Sequence, residues 1–170
     1  VYLEARSANH ISLIHFTPDI DNHIVEVKVK LAESAASASE FVLYGSGIDF
    51  KDEIEPNSAE AIFTVPIENM KLWDLDNPYL YEVKAAVKGE NMEDEVSTYF
   101  GMRKISAVDI EGKDFQYVAL NNQPVYLKMA LDQSYHPEGF YTFPSDQFMK
   151  EEIQRAKDLG LNGLRIHIKA

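Results

Sequence analysis

The stretch His23-Ile24-Val25-Glu26-Val27-Lys28-Val29-Lys30-Leu31 decides the class of fold, because apolar and polar residues alternate along it. Successive side chains of a β-strand point to opposite faces, so Val25, Val27, Val29 and Leu31 share one face while charged residues occupy the other. The period of two indicates a half-buried strand rather than a helix. The apolar face is therefore predicted to lie in a hydrophobic core.

Similar runs lie on both sides of this strand. The predicted strands are Ile11 to Phe16, Glu40 to Tyr44, Ala61 to Ile67, Tyr79 to Val87 and Glu95 to Ile105. Strands at this spacing, with no helical period between them, usually pair antiparallel and form two stacked sheets. Residues 1–109 are therefore predicted to form a two-sheet β-sandwich, without the disulfide of antibody domains because the chain has no Cys.

Turn-forming residues separate the predicted strands. The predicted turns are Thr17-Pro18-Asp19, Gly45-Ser46-Gly47, Glu55-Pro56-Asn57-Ser58, Asp76-Asn77-Pro78 and Lys88-Gly89-Glu90-Asn91. The small and polar residues 31–40 are expected to form a loop, although their Ala content would also permit a helical turn. The acidic run Glu90, Glu93, Asp94 and Glu95 is interpreted as a solvated turn rather than a metal site.

The pattern changes after about residue 109. A strand is predicted at Phe115 to Leu120, a turn at Asn121-Asn122-Gln123-Pro124 and a more continuously apolar strand at Val125 to Leu131. Ser145 is suited to cap a helix that ends near Gly160, and Met149, Ile153 and Ala156 would lie on one of its faces. Asn162 to Ile168 then completes a strand–helix–strand unit with parallel strands. Such a unit needs further strands beside it, so residues 110–170 are expected to be the truncated start of a larger α/β fold.

Composition excludes several classes of function. The chain has 170 residues, with 16 Lys or Arg against 28 Asp or Glu, for a formal charge of −12. An acidic surface repels phosphate backbones and anionic headgroups, so neither nucleic acid nor a membrane is expected as a partner. The absence of Cys leaves the cellular compartment open. The sequence carries no secretory signal, and because it begins with Val1 in a strand-like run, we expect it to start within a longer protein.

Three segments, in this order, resemble glycoside hydrolase family 2, which contains β-galactosidases and β-glucuronidases. Leu72-Trp73-Asp74-Leu75-Asp76-Asn77-Pro78-Tyr79-Leu80-Tyr81 is similar to the family's LW…NPYLY signature. Phe100-Gly101-Met102-Arg103-Lys104-Ile105 is similar to FGFRxI, and Leu120 to Lys128 is similar to LNGKPVxLxG. The resemblance implies that residues 1–109 form an immunoglobulin-like β-sandwich and that residues 110–170 supply the first strand, first helix and second strand of a (β/α)8 barrel.

The resemblance also implies a reaction. Members are retaining enzymes, in which one carboxyl group protonates the leaving oxygen and a second attacks the anomeric carbon. In the family both come from strands beyond residue 170, so no Glu of this chain is assigned to either role. The chain itself is expected to be structural and inactive, as an internal piece of an exo-acting β-glycosidase that takes a carbohydrate substrate. No cofactor or metal is implied.

Five residues near the ends of the two predicted barrel strands are candidates for substrate binding, since active sites of this fold lie at the carboxyl ends of the strands. Asp132 and Gln133 could bind two adjacent hydroxyls, or Asp132 could cap a loop. His136, in a His-Pro pair that resembles one of the family, either lines the pocket or bonds to the loop backbone. Arg165 resembles the Arg of the family's RxSH pattern, which implies that it orients the nucleophilic carboxylate, with a structural ion pair as the alternative; His167 lies in the same pattern.

The sequence departs from the family at these positions. Met129-Ala130 replaces a Gly, Leu131-Asp132-Gln133 replaces an Asn-Arg or Asn-His pair, and Arg165-Ile166-His167-Ile168 replaces RxSH. These differences affect the expected identity of the substrate sugar more than the expected type of reaction. The alternative functions are a non-catalytic carbohydrate-binding or adhesive immunoglobulin-like module, or an unrelated α/β enzyme with a sandwich in front. The exposed apolar strands of the tail also predict self-association or partial disorder of the tail.

Overall fold

The computed structural model describes Leu3 and residues 5–90, 92–133 and 135–167. The chain divides into two compact units. One comprises residues 1–105 with 120–122, and the other comprises residues 106–119 with 123–170. The domain boundary at residue 109 stays a prediction.

The first unit is built from two antiparallel sheets. Its described strands are β1 (Ile11–Asp19), β2 (Ile24–Leu31), β3 (Ser39–Gly45), β4 (Ile48–Ile54), β5 (Glu60–Pro66), β6 (Tyr81–Gly89) and β7 (Met92–Phe100). One sheet has the order β1-β2-β5 and the other the order β4-β3-β6-β7. The prediction of a mainly β, antiparallel fold is confirmed, with β4 in the same sheet as β3.

The core of this unit lies between the inner faces of the two sheets. Val25, Val27 and Val29 of β2 are fully buried, as the alternation predicts. Across the sheets, the ring of Phe41 on β3 stacks on the ring of Phe63 on β5, with centroids 4.6 Å apart. The apolar faces of β2, β3, β5 and β6 are therefore buried between the sheets, and this burial is the main stabilising contribution in such a fold.

A tyrosine corner fixes the connection between β5 and β6. Tyr81 at the start of β6 is 3% exposed, and its hydroxyl accepts a hydrogen bond of 2.7 Å from the backbone N–H of Lys71. Its ring stacks on Phe100 at 5.1 Å and meets Tyr79 edge-on at 5.0 Å. A tyrosine at this place in immunoglobulin-like sandwiches ties the corner to the core in the same way.

We expect Tyr81→Phe to lower the free energy of unfolding by about 1–2 kcal/mol, because the ring packing is kept while the Lys71 N–H loses its acceptor. Urea unfolding followed by far-UV circular dichroism measures the change. Tyr99→Phe is the matched control, since Tyr99 is 65% exposed on β7. An unchanged urea midpoint in Tyr81→Phe would show that the corner contributes nothing through its hydroxyl.

Several strand boundaries differ from prediction. The expected turn at residues 17–19 is wrong, because β1 continues and Pro18 pairs with Val25. β1 is an edge strand, and proline is tolerated there because its missing N–H can face away from the neighbouring strand. The predicted strand Glu95 to Ile105 is interrupted after Phe100, where Met102 instead forms a parallel bridge with Leu72.

The acidic run is a strand rather than a turn beyond Glu90. Glu93 and Asp94 lie in β7, where Glu93 pairs with a lysine of β6 and Asp94 accepts a 2.9 Å hydrogen bond from the N–H of Ile11. Glu95 accepts hydrogen bonds from Lys84 and from a tyrosine. Basic and hydroxyl partners on neighbouring strands offset the repulsion, so the carboxylates are compatible with extended backbone.

The second unit carries the parallel strands. Its described elements are β8 (Ile105–Asp109), β9 (Gln116–Leu120), β10 (Gln123–Pro124), β11 (Met129–Asp132), α1 (Asp146–Asp158) and β12 (Gly163–Ile166). β8 and β10 flank β9 in one sheet, and β11 pairs with β12 in parallel. The helix begins as predicted, since the Ser145 hydroxyl accepts a 3.1 Å hydrogen bond from the N–H of Phe148.

The strands of the second unit are shorter than predicted. β11 begins only at Met129, because residues 125–128 lie outside any regular element. The last strand ends at Ile166, and Ile168 lies outside the described residues. At the other end of the chain, the strand predicted at the first residues also falls partly outside them, on Val1, Tyr2 and Glu4, while residues 5–7 are irregular.

Candidate functional site

The carboxyl ends of β11 and β12 bring two of the predicted site residues together. The parallel ladder pairs Leu131 with Arg165 and Asp132 with Ile166. One residue further along, the ring Nδ1 of His167 lies 3.2 Å from the side-chain oxygen of Gln133. If the amide oxygen accepts, Nδ1 carries the proton and Nε2 of the neutral ring is left as an acceptor. The two polar side chains thus orient each other at one end of the ladder.

Asp132 and Arg165 lie on different faces of this strand pair. Side chains alternate along a strand, so Arg165 shares a face with His167, whereas Asp132 shares the opposite face with Ile166. The carbonyl oxygen of Asp132 accepts a 3.0 Å hydrogen bond from the N–H of His167, which extends the ladder. That Asp132 and Gln133 bind two adjacent hydroxyls of one sugar stays a prediction. Neighbouring residues of a strand point to opposite faces, which disfavours such a joint contact.

His136 lies in a tight hairpin after β11. Its Nδ1 accepts hydrogen bonds of 3.1 Å from the N–H groups of Glu138 and Gly139. Its backbone exchanges hydrogen bonds of 3.0 and 2.9 Å with Phe140, and its ring meets Phe148 of α1 edge-on at 4.7 Å. One ring nitrogen is therefore occupied by the loop backbone, which leaves Nε2 to donate.

The three sequence motifs meet in the first unit. The backbone of Trp73 bonds to Met102, with N–H to oxygen 2.9 Å. The amide of Asn121 then joins the other two segments, since its nitrogen donates to the Trp73 carbonyl at 2.9 Å and its oxygen accepts from the Lys104 N–H at 3.0 Å. We name Trp73, Met102, Lys104 and Asn121 the motif junction. Its geometry explains why residues far apart in sequence carry one signature.

The aromatic ring of Trp73 is engaged inside this junction. The guanidinium of Arg103 lies 4.7 Å from its ring centroid, a cation–π distance. A Cβ atom at Gly101 would lie 3.3–3.4 Å from the indole side chain, so the close approach favours glycine there. These contacts give Trp73 a structural role.

A charged group sits at the edge of the junction. The ammonium of Lys104 and the amide of Asn122, which donates at 2.7 Å, both bond to the carboxylate of Asp21. The Lys104 bond, followed by the Asn122 bond, holds the pKa of Asp21 below its ordinary value. The charged form is favoured, so the stabilisation is present above the unfolded-state pKa and is lost as pH falls through the lowered one.

We expect Lys104→Met to raise the pKa of Asp21 toward its ordinary value and Asn122→Ala to raise it by less. Carboxyl carbon shifts followed by NMR across an acid titration measure both changes. Asp19 is an internal reference, because hydrogen bonds from Asn22, which neither substitution removes, are the main cause of its lowered pKa, while the charge of Asp21 raises that pKa to a smaller extent. If the pKa of Asp21 is the same in wild type and Lys104→Met, the ion pair does not persist in solution.

A groove of about 460 Å³ lies on the outer face of the four-stranded sheet. Tyr44, Lys84 and Tyr99 line it, and none of the five predicted site residues does. The carboxylate of Glu95 beside it accepts from Lys84 at 2.7 Å and from the hydroxyl of Tyr44 at 2.6 Å. These bonds lower the pKa of Glu95 and raise that of Tyr44, so a charged, fixed triad borders the groove.

The described part of the chain contains no group of three His, Asp or Glu side chains arranged for a metal ion. Likewise, no helix within it is both long and apolar enough to cross a membrane. Asp21 and the aromatic residues after β11 were not predicted from the sequence. The available signal was the run Tyr135, Phe140 and Tyr141 directly behind a strand end.

The chain is similar in sequence and in fold to known glycosidases. A β-galactosidase of Leuconostoc mesenteroides subsp. mesenteroides is 24% identical over 164 residues, covering 87% of this chain and 15% of that protein. The crystal structure of a GH2 β-galacturonidase from Eisenbergiella tayi matches 96% of this chain and 29% of that one, with a TM-score of 0.75 and 21% identity. The β-glucuronidase of Parabacteroides merdae matches 93% and 20%, with a TM-score of 0.73 and 20% identity.

The chain therefore spans less than a third of the length of each of these relatives. The structural matches show a shared fold. The sequence model of the family described as Glycosyl hydrolases family 2 matches residues 9–103, more than half of the chain. This protein belongs to glycosyl hydrolases family 2.

Proposed function

We propose that the chain is an internal part of a retaining, exo-acting β-glycosidase that hydrolyses terminal β-linked sugars. Residues 1–109 would be its immunoglobulin-like sandwich, and residues 110–170 the first strand, helix and second strand of its (β/α)8 barrel. The observation that carries the proposal is the parallel pairing of β11 and β12 around α1, directly after a segment that matches the family.

The exposure of the second unit supports a larger fold. No residue of α1 is buried, including Met149 and Ile153 on its predicted apolar face. Several apolar side chains of the strands and their approaches are also exposed, namely Tyr126, Leu127, Met129, Leu131, Leu164 and Ile166. Parallel sheets in α/β folds are covered on both faces, so these surfaces fit further strands and helices or a second copy of the tail.

The chemistry also points to residues outside this chain. A retaining glycosidase needs two carboxyl groups about 5–5.5 Å apart. β11 and β12 carry a single carboxylate, that of Asp132, while β12 contributes Arg165. The five candidates are therefore proposed to bind substrate or orient catalytic groups, with the acid and the nucleophile supplied by other strands.

The 170-residue chain is expected to be inactive on p-nitrophenyl β-D-galactoside and β-D-glucuronide, while the whole gene product hydrolyses at least one of them. Release of p-nitrophenol measures both. Sedimentation of the same sample tests the proposed self-association of the tail. Turnover that follows the repurified chain in proportion to its concentration would overturn the assignment of the carboxyl pair to other strands.

The groove on the outer sheet face favours a second candidate, a non-catalytic carbohydrate-binding module. Tyr44 and Tyr99 could stack on a sugar ring while Lys84 bonds to its hydroxyls. A gene product that binds oligosaccharides without hydrolysing either aryl glycoside, and loses binding in Tyr99→Ala, would favour this module over the glycosidase.

A further inference from the structure

The loop of residues 135–143, which we name the aromatic loop, presents three large aromatic side chains to solvent. Tyr135 is 62%, Phe140 69% and Tyr141 71% exposed. The rings of Tyr135 and Tyr141 lie 5.5 Å apart. Single exposed aromatic residues are common, but three in one short loop, two of them in ring contact, form an unusually apolar patch that fits a ligand.

The aromatic loop is held in one conformation by its own hydrogen bonds. His136 and Phe140 exchange two backbone bonds, and the Thr142 N–H donates to the Gly139 carbonyl at 3.0 Å. Gly139 is tightly enclosed, since a Cβ atom there would collide with the Thr142 carbonyl oxygen. The ring of His136 is fixed in turn against Phe148 of α1. The exposed rings are therefore preorganised rather than free to collapse.

Phe140 adopts a backbone conformation that its side chain does not favour. Its φ is 52°, in the left-handed region that bulky residues rarely occupy. Its ring is not buried in return, so packing within the described residues does not compensate the strain. Strained residues that are held by a rigid surrounding often serve a ligand site. Glycine or asparagine would adopt this φ at lower cost, yet the position holds a phenylalanine whose ring is exposed to solvent.

We propose that the aromatic loop is a stacking platform for a pyranose ring of the substrate. The loop follows the carboxyl end of β11, the end of the ladder at which Gln133 and His167 meet, and sites of barrel enzymes gather at that end. The proposal rests on the proposed glycosidase function. It adds that the platform contributes to substrate affinity through the apolar C–H face of a sugar.

The charge of the loop favours a neutral sugar over a membrane. Residues 133–146 contain Glu138 and Asp146 but neither Lys nor Arg. A loop that inserts aromatic residues into an anionic membrane is normally accompanied by basic residues. A sugar, by contrast, offers apolar C–H groups to the rings and hydroxyls to polar groups such as Gln133 and His167.

The test uses the whole gene product and the variant Phe140→Asn, which removes the ring but keeps a residue that tolerates a left-handed backbone. For the aryl glycoside that is hydrolysed, we expect KM to rise about 10-fold while kcat stays within about 2-fold of the wild-type value. A loss of affinity of about 10-fold is what the loss of one aromatic contact typically produces. Phe140→Tyr keeps a ring and should restore the wild-type KM. Phe115→Asn makes the same change at an exposed phenylalanine outside the aromatic loop, so it is the matched control and should leave KM unchanged.

Binding is measured separately by saturation-transfer NMR with methyl β-D-galactopyranoside and methyl β-D-glucuronide. Transfer from the aromatic protons that disappears in Phe140→Asn supports the platform even if neither aryl glycoside is hydrolysed, in which case the glycosidase proposal alone fails. An active enzyme whose KM is unaffected by Phe140→Asn overturns the platform alone. The same holds if Phe140→Asn lowers thermal stability without changing KM, because the ring would then be covered by other parts of the chain.

Discussion

Phe41→Ala is expected to lower the free energy of unfolding of the sandwich by about 4 kcal/mol, since truncating a buried phenylalanine typically costs about 3–5 kcal/mol. Phe41 is fully buried on β3. Its ring stacks nearly parallel on Phe63 of the opposite sheet, with an interplanar angle of 4°. The substitution removes contacts with both sheets and leaves a cavity between them. Urea unfolding followed by circular dichroism measures the loss.

Two further variants make this result interpretable. Phe41→Leu retains most of the buried volume and should cost about 1–2 kcal/mol, so it reports on the site even if Phe41→Ala does not fold. Tyr99→Ala removes an exposed aromatic residue from the outer sheet face and should change stability by less than about 0.5 kcal/mol. Equal losses for Phe41→Ala and Tyr99→Ala would contradict a core placed between the two sheets.

Alternation could predict the strands whose faces differ in polarity. β2 is such a strand, and its buried valines are those of the predicted face. β4 was not predicted, because its centre, Asp49 to Glu53, is dominated by charged residues and only its end residues Ile48 and Ile54 are buried. An edge strand with charges resists pairing with other chains, which is why its sequence lacks the usual strand pattern.

The turn between β3 and β4, by contrast, could be predicted from the sequence. Ser46 and Gly47 both have positive φ values, of 46° and 83°, as two-residue hairpin turns require. The predicted turn at Gly45-Ser46-Gly47 therefore implied a second strand after it. The prediction of a turn at the acidic run of β7 is wrong for another reason. The partners of Glu95, Lys84 and Tyr44, lie on other strands, and only tertiary structure brings them to it.

The candidate site could be predicted only in part. Strand order and helix capping in the second unit follow local rules, so the ends of β11 and β12 were located within a few residues. The contact between Gln133 and His167 depends on the register of the parallel pair, which no local pattern specifies. The strain at Phe140 is likewise invisible in sequence, because a phenylalanine there gives no sign of a left-handed backbone.

In the proposed glycosidase, Arg165→Lys is expected to lower kcat/KM by about 100-fold. Arg165 shares a strand face with His167, and a guanidinium there could make two parallel hydrogen bonds to a carboxylate from another strand, whereas lysine keeps the charge and loses the two-pronged geometry. A factor of 100 corresponds to about 2.7 kcal/mol, within the range for bonds to charged groups. Steady-state kinetics of the whole gene product measure the change.

Arg155→Lys supplies the matched control for this prediction. Arg155 bonds to Glu152 at 2.6 Å on the exposed surface of α1, where a salt bridge contributes little. Its replacement should change kcat/KM by less than about 2-fold. If Arg165→Lys behaves like Arg155→Lys in kcat/KM but lowers the melting temperature, Arg165 belongs to a structural ion pair. A large loss of kcat/KM at unchanged melting temperature instead supports its proposed role beside the reacting carboxylate.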